Sequence, residues 1–200
     1  MGINVLHIIW IIIQVVLGFN LVFPVLLYFF YSLGKKDTIG NSPTLPGVEN
    51  DYAIIVTAYE QTDSINAVVE SILTLKYTNY VVYIVADKCD VSNLKFADDR
   101  VVVLRPEETL SSNTRSHFYA INRFVRPHTY LTIIDSDNLV HPDYLTELDK
   151  YFNAGFKAVQ GIREAKNLDT TYAALDGARD IYYHFYDGKV LFGVGSSATL

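Results

Sequence analysis

Two hundred residues, half of them hydrophobic, suffice for one domain with a full core, but the apolar content is concentrated at the N-terminus, leaving a smaller soluble part. Sixteen basic residues against twenty-two acidic ones give a formal charge of -6 without a dense Lys/Arg run, which argues against a nucleic-acid partner. The sole cysteine, Cys89, excludes an intramolecular disulfide, no Cys/His cluster has zinc-site spacing, and a reducing compartment fits.

From Ile3 to Leu33 there is no Asp, Glu, Lys or Arg. This run of about thirty residues exceeds the roughly 20 that a helix needs to cross a bilayer, so 1–36 reads as a single transmembrane anchor. Gln14, Gly18, Asn20 and Pro24 interrupt it, which suits a kink near Pro24 or packing against another membrane segment. Trp10, Tyr28 and Tyr31 suit the interfaces. A cleaved signal peptide fits less well, because no basic region precedes the apolar stretch and the stretch is too long. Lys35 and Lys36 follow the helix while the short N-terminal tail carries no basic side chain, which places the C-terminal portion in the cytoplasm.

Residues 37–50 contain Gly40, Pro43, Pro46 and Gly47 among polar side chains and read as a linker. A folded domain spans 51–200. Its first strand is the β-branched apolar run from Tyr52 to Thr57, of the kind buried on both faces of a parallel sheet. Ile65, Val68, Val69, Ile72 and Leu73 then recur at helical spacing, with Thr62, Asp63 and Ser64 available as caps. Further strands are expected at Tyr80–Ala86, Val101–Leu104 and Tyr130–Ile134, with a helix from about Thr114 to Val125 before the last. Pro142 suits the first turn of another helix, Lys157–Gln160 reads as a fifth strand, and a final helix runs from about Thr170 to Tyr186. Strands alternating with helices predict an α/β fold with a mostly parallel sheet.

Ligands of open α/β sheets bind beyond the carboxyl ends of the strands. Three such ends carry polar chemistry: Thr57-Ala-Tyr59-Glu60, Asp87-Lys-Cys-Asp90 and Asp135-Ser-Asp137-Asn138. One residue separates Asp135 from Asp137, so in an extended segment both carboxylates point to one side and converge on a cation. Mg²⁺ or Mn²⁺ prefers such oxygens and borrows its remaining ligands from substrate phosphates. Taken alone, the triplet reads equally well as helix-capping loop residues. Its place at the end of an apolar strand, and the extended pattern D-S-D-N-L-V-H-P-D-Y-L, favour the metal.

These motifs resemble a family 2 glycosyltransferase of the GT-A fold, from about Tyr52 to the end of the chain. Ala53 to Glu60 is similar to the family's opening strand and nucleotide-contacting loop, Val85 to Asp90 to its second-strand motif, and Asp135 to Pro142 to its metal motif and following helix. Gly193-Val-Gly195-Ser196-Ser-Ala198 resembles its glycine-serine loop near the acceptor and donor sugar. The resemblance implies a nucleotide-diphosphate-sugar donor, expected to be a UDP-sugar, a divalent metal, and inverting transfer to a glycan or lipid-linked acceptor. The setting it implies is a bacterial-type inner membrane with the catalytic domain in the cytoplasm. It also implies that Thr57 and Tyr59 border the nucleotide, Asp87 accepts a hydrogen bond from the base, Asp135 lies near the ribose or metal, and Asp137 ligates the metal. For Asp87 a loop or capping role is the alternative, and Thr57 and Tyr59 read equally well as packing residues, because their motif is short.

The sequence departs from the family pattern in places. Glu60 stands where an Asn is usual. Ala120-Ile121-Asn122 matches the end of a G-K-x-x-A-L-N-like segment, which puts His117 at the usual Lys position and Arg115 two residues before it. Either is a candidate for the donor phosphates, or simply a helix-surface residue. The catalytic base is expected beyond Leu200, as is a Q-x-x-R-W-like segment. A non-catalytic nucleotide-binding or scaffold subunit of a polysaccharide-assembly complex is the alternative function. A D-x-D phosphohydrolase fits poorly because Asp137 follows several strands and precedes Asn138, and an NAD-binding domain because no G-x-G-x-x-G follows the first strand.

Overall fold

A computed structural model describes residues 4–34 and 49–195. The chain divides into two compact units, Ser42–Val159 and a second that combines Met1–Asn41 with Gln160–Leu200. In the second unit, α1 (Val5–Leu33) is a 29-residue helix, long and apolar enough to cross a membrane. Asn4 caps its start by accepting the Leu6 N–H at 3.3 Å.

The unit Ser42–Val159 is built on four parallel strands, β1 (Tyr52–Tyr59), β2 (Tyr80–Asp87), β3 (Val101–Leu104) and β4 (Tyr130–Asp135), in the order β3-β2-β1-β4. The two central strands are the ones whose sequence is a continuous apolar run, because helices cover both of their faces. Tyr52, Ile54 and Val56 of β1, with Tyr80, Val82 and Ile84 of β2, pack against α2 (Ile65–Leu73) and α4 (Tyr144–Asn153). The alternate residues Ala53, Ile55, Val81, Tyr83 and Val85 face Ala120 of α3 (Asn113–Ile121). Edge strand β4 buries only Thr132 and Ile134, leaving Leu131 and Ile133 exposed.

Three expectations are corrected. The segment 157–160 joins no strand ladder: only Val159 packs on the core, while Lys157 and Gln160 stay exposed, too little apolar surface to hold a fifth strand. Helix α3 ends at Ile121 rather than near Val125, and Phe124 beyond it packs tilted on Tyr83 with ring centroids 4.6 Å apart. Pro142 lies before Asp143, the N-cap of α4, and so outside the first turn. In the unit containing α1, α5 (Thr171–Phe185) runs on as a π-helix over Tyr186–Leu191. Phe185 meets Tyr28 of α1 with ring centroids 6.1 Å apart. At Gly193 a Cβ atom would fall 2.4 Å from the Tyr31 ring, so this approach requires glycine.

The amino ends of the strands are locked by polar groups. Asp149 of α4, only 8% exposed, accepts the hydroxyl protons of Tyr52 at 2.5 Å and Tyr77 at 2.6 Å and the amide of Asn50 at 3.0 Å. Burial, reinforced by this carboxylate, raises the pKa of both tyrosines, so both remain donors.

Nearby, the Tyr83 hydroxyl accepts the Val125 N–H at 3.0 Å and shares a hydrogen bond of 2.9 Å with His128 Nε2. His128 Nδ1 is 3.0 Å from Asp51 Oδ2 but not aligned for a hydrogen bond. Burial lowers the His128 pKa despite the pull of Asp51, and Arg126 adds to the lowering. The folded chain therefore binds the proton less readily than the unfolded one. The stabilisation is complete above the unfolded histidine value of about 6.5 and is lost as pH falls through the lower folded value. Thermal melts of the full chain between pH 8 and 5 are expected to show Tm falling with acid, less steeply in His128→Gln. Identical slopes for the two proteins would place the loss elsewhere.

Candidate active site

The carboxyl ends of β1 and β2 border a cleft of about 500 Å³ lined by Thr57, Ala58, Tyr59, Asp87, Ser111, Ser112, Asn113 and Ser116. Strand register brings these groups together. Tyr59 is the β1 partner of Asp87, and Thr57 is the β1 partner of Asp135. The donor-side candidates therefore occupy one edge of one sheet, where the fold class expects a ligand.

Asp87 is 1% exposed, and its carboxylate accepts the Leu110 N–H at 3.0 and 3.1 Å and the Ser111 N–H at 2.8 Å. It thereby fastens the turn that forms one wall of the cleft. Ser112 caps α3 by accepting the Arg115 N–H at 3.5 Å, and the Arg115 guanidinium folds back to the Leu110 carbonyl at 3.2 Å. The Ser111 hydroxyl lies 3.4 Å from that of Tyr59, closing the wall over β1. Ser111, Ser112, Asn113 and Ser116 escape the motif reading. The serine-rich N-cap preceding α3 is the only signal they leave in the sequence.

Backbone strain gathers in the same place. Among the described residues, the non-glycine residues with positive φ are Glu60 at 60°, Lys88 at 55° and Ser111 at 48°. Each costs roughly 1–2 kcal/mol and persists only where surrounding bonds fix it. Here the Glu60 N–H donates to the Asp87 carbonyl at 3.1 Å, and Ser111 is held by the Asp87 carboxylate. Lys88 reaches Glu60 Oε1 at 2.7 Å. This hydrogen bond and the lysine charge hold the Glu60 pKa below the usual carboxylate range, and Glu60 raises that of Lys88. The acid standing where the family usually has Asn thus has its charge compensated from the neighbouring strand end.

Asp135 closes β4, and the segment after it is a turn in which the Asn138 N–H donates to the Asp135 carbonyl at 3.1 Å. Asp137 is a central residue of that turn. The expected extended alternation does not apply, so any convergence of the two carboxylates comes from the turn. Both residues are exposed, and Asn138 Nδ2 steadies Asp135 Oδ2 at 3.1 Å. His117 is half-buried on α3, and burial lowers its pKa against the opposing pull of Asp135. Gly195 belongs to the unit containing α1, and Ser196 lies outside the described residues.

Among the described residues no three His, Cys, Asp or Glu side chains gather into a metal cage. The donor set available at the turn is two hard carboxylates, which fits a cation that completes its shell with water and phosphate oxygens.

Residues 49–199 match the model of the family described as glycosyltransferase like family 2. The chain belongs to that family. Its solved structural relatives include the mannosyltransferase PcManGT from Pyrobaculum calidifontis, in complex with GDP-Man and Mn²⁺. That likeness has a TM-score of 0.55 at 17% identity, covering 64% of this chain and 39% of the other, and shows the shared fold. TarS from S. aureus gives a TM-score of 0.47 at 13% identity, covering 58% of this chain and 24% of that one. TarS 1–349 in complex with UDP-GlcNAc gives 0.46 at 14% identity, covering 58% and 38%. The chain thus spans less than half the length of each of these structures. No curated protein matches the sequence.

Proposed function

We propose that the cleft binds the nucleotide of a nucleotide-diphosphate sugar, expected to be a UDP-sugar, for inverting transfer to a glycan or lipid-linked acceptor at a membrane. The observation that carries this reading is the register that sets Thr57 beside Asp135, and Tyr59 beside Asp87, at the edge of a strand-end cleft. Tyr59, 47% exposed, offers a ring face to a base, and the hydroxyls of Ser111, Ser112 and Ser116 offer donors and acceptors to a nucleoside. Asp87 is the candidate base contact as well as the anchor of the wall, since its two oxygens offer about four acceptor directions.

Asp135 and Asp137 would hold Mg²⁺ or Mn²⁺. Such a cation supplies positive charge to the diphosphate and to the leaving group as it departs. The strand ends offer little free positive charge of their own, because Asp87 and Asp135 close β2 and β4 and Lys88 is engaged by Glu60. Arg115 and His117 are the candidate phosphate contacts from α3, with His117 held largely neutral at pH 7 by its lowered pKa. The apolar helix α1 supports a membrane anchor, and Lys35 and Lys36 after it are the basis for placing the following domain on the cytoplasmic side of a bacterial-type inner membrane.

Calorimetric titration of the full chain in detergent with UDP, and separately with GDP, tests the reading. Binding in Mn²⁺ is expected to weaken roughly 100-fold in EDTA, or ~2.7 kcal/mol. Equal affinity with and without metal, or no binding of either nucleotide, would sink it.

A further inference from the structure

Ser64 stands immediately before α2, where a serine hydroxyl ordinarily accepts an N–H of the first helical turn. It makes no such bond. Its Oγ instead donates to the carbonyl of Ser136 at 2.6 Å, across 72 positions of sequence. That carbonyl belongs to the peptide between Ser136 and Asp137, the central peptide of the Asp135–Asn138 turn.

The central peptide of a β-turn is the one that rotates by about half a revolution between type I and type II, and type II requires positive φ at the third residue. Asp137 is the third residue here, and it is not among the residues with positive φ. The turn therefore occupies the unrotated form, and a rotation would carry the Ser136 carbonyl away from Ser64. The same helix holds the far side of the loop, where the Val140 N–H donates to Ser71 Oγ at 3.2 Å. The bond to Ser64 thus bears directly on the peptide leading into Asp137.

We infer that Ser64 is a positioning residue for the donor-metal site: its hydroxyl latches the Ser136–Asp137 peptide and confines the Asp137 carboxylate to the arrangement that receives the cation. The latch rests on the reading of Asp135 and Asp137 as metal ligands. Its chemical requirement is a hydroxyl at position 64, so threonine is expected to replace serine and alanine is not.

Two measurements on the full chain in detergent test it. The first is the Mn²⁺ concentration that half-saturates UDP binding, followed by calorimetry at fixed UDP. Ser64→Ala is expected to need roughly five- to tenfold more Mn²⁺, the equilibrium weight of about one hydrogen bond, while Ser64→Thr and Ser71→Ala stay near the parent. The second is backbone amide exchange at 136–138 without metal, expected to quicken in Ser64→Ala alone. Unchanged Mn²⁺ demand in Ser64→Ala, beside a parent whose binding is metal-dependent and abolished in Asp137→Ala, would overturn the inference and leave the metal site standing. If the parent shows no Mn²⁺ dependence, the metal reading is what fails, and unchanged exchange in Ser64→Ala would overturn the latch independently.

Discussion

Asp137→Ala is expected to abolish metal-dependent nucleotide binding, weakening UDP in Mn²⁺ by roughly 100-fold, or ~2.7 kcal/mol. The size follows from how little the protein offers the cation. With two carboxylates at the turn and no larger cage among the described residues, each carboxylate carries a large share of the protein's hold on the metal. Asp137→Asn keeps one oxygen in place but loses the charge, and should fall between alanine and the parent. Calorimetry with Mn²⁺ and with EDTA checks both, the mark of a lost ligand being that alanine brings the Mn²⁺ affinity down to the EDTA level. An Asp137→Ala protein that binds UDP with parental, Mn²⁺-dependent affinity would remove Asp137 from the metal's ligands. A fall of equal size in both media would mark a general distortion of the cleft.

The second large effect is on stability. Asp149→Ala should destabilise the domain by roughly 3–5 kcal/mol, because it leaves the buried hydroxyls of Tyr52 and Tyr77 and the Asn50 amide without their acceptor. For a unit of this size, that corresponds to a fall in Tm of about 10 °C or more. The loss arises from stranded polar groups rather than from one missing contact. Replacing the acceptor and both phenols together, as Asp149→Leu with Tyr52→Phe and Tyr77→Phe, should therefore recover much of it. A triple variant as unstable as Asp149→Ala would mean that packing dominates, and that the hydrogen bonds contribute little.

The central strands were legible because burial on both faces leaves a continuous β-branched run, and β1 and β2 sit where those runs lie. The first amphipathic helix was equally legible from its spacing. Lys157–Gln160 misled because a short run with two apolar residues has the composition of a strand without enough surface to bury. At the site, strand-end position marked Thr57, Asp87 and Asp135. What the turns do was not legible. The wall from Ser111 to Ser116 depends on a left-handed residue and on a carboxylate 23 and 24 positions away, and the Asp135–Asn138 turn receives a hydroxyl from Ser64, 72 positions before Ser136. Such long-range partnerships leave no local periodicity to read.

The Asp149 lock and the cleft occupy opposite ends of the same strands. From Tyr52 at the lock to Thr57, the first cleft residue on β1, is five steps, about 17 Å at the rise of an extended chain, and the two sites share no partners among the described residues. At that distance, changes in folding free energy at the two ends should sum without interaction. The amino end can then serve as a reservoir of robustness: reinforcing it would let a library randomised over 111–116 be screened for altered nucleotide preference, with loss of binding separable from loss of fold.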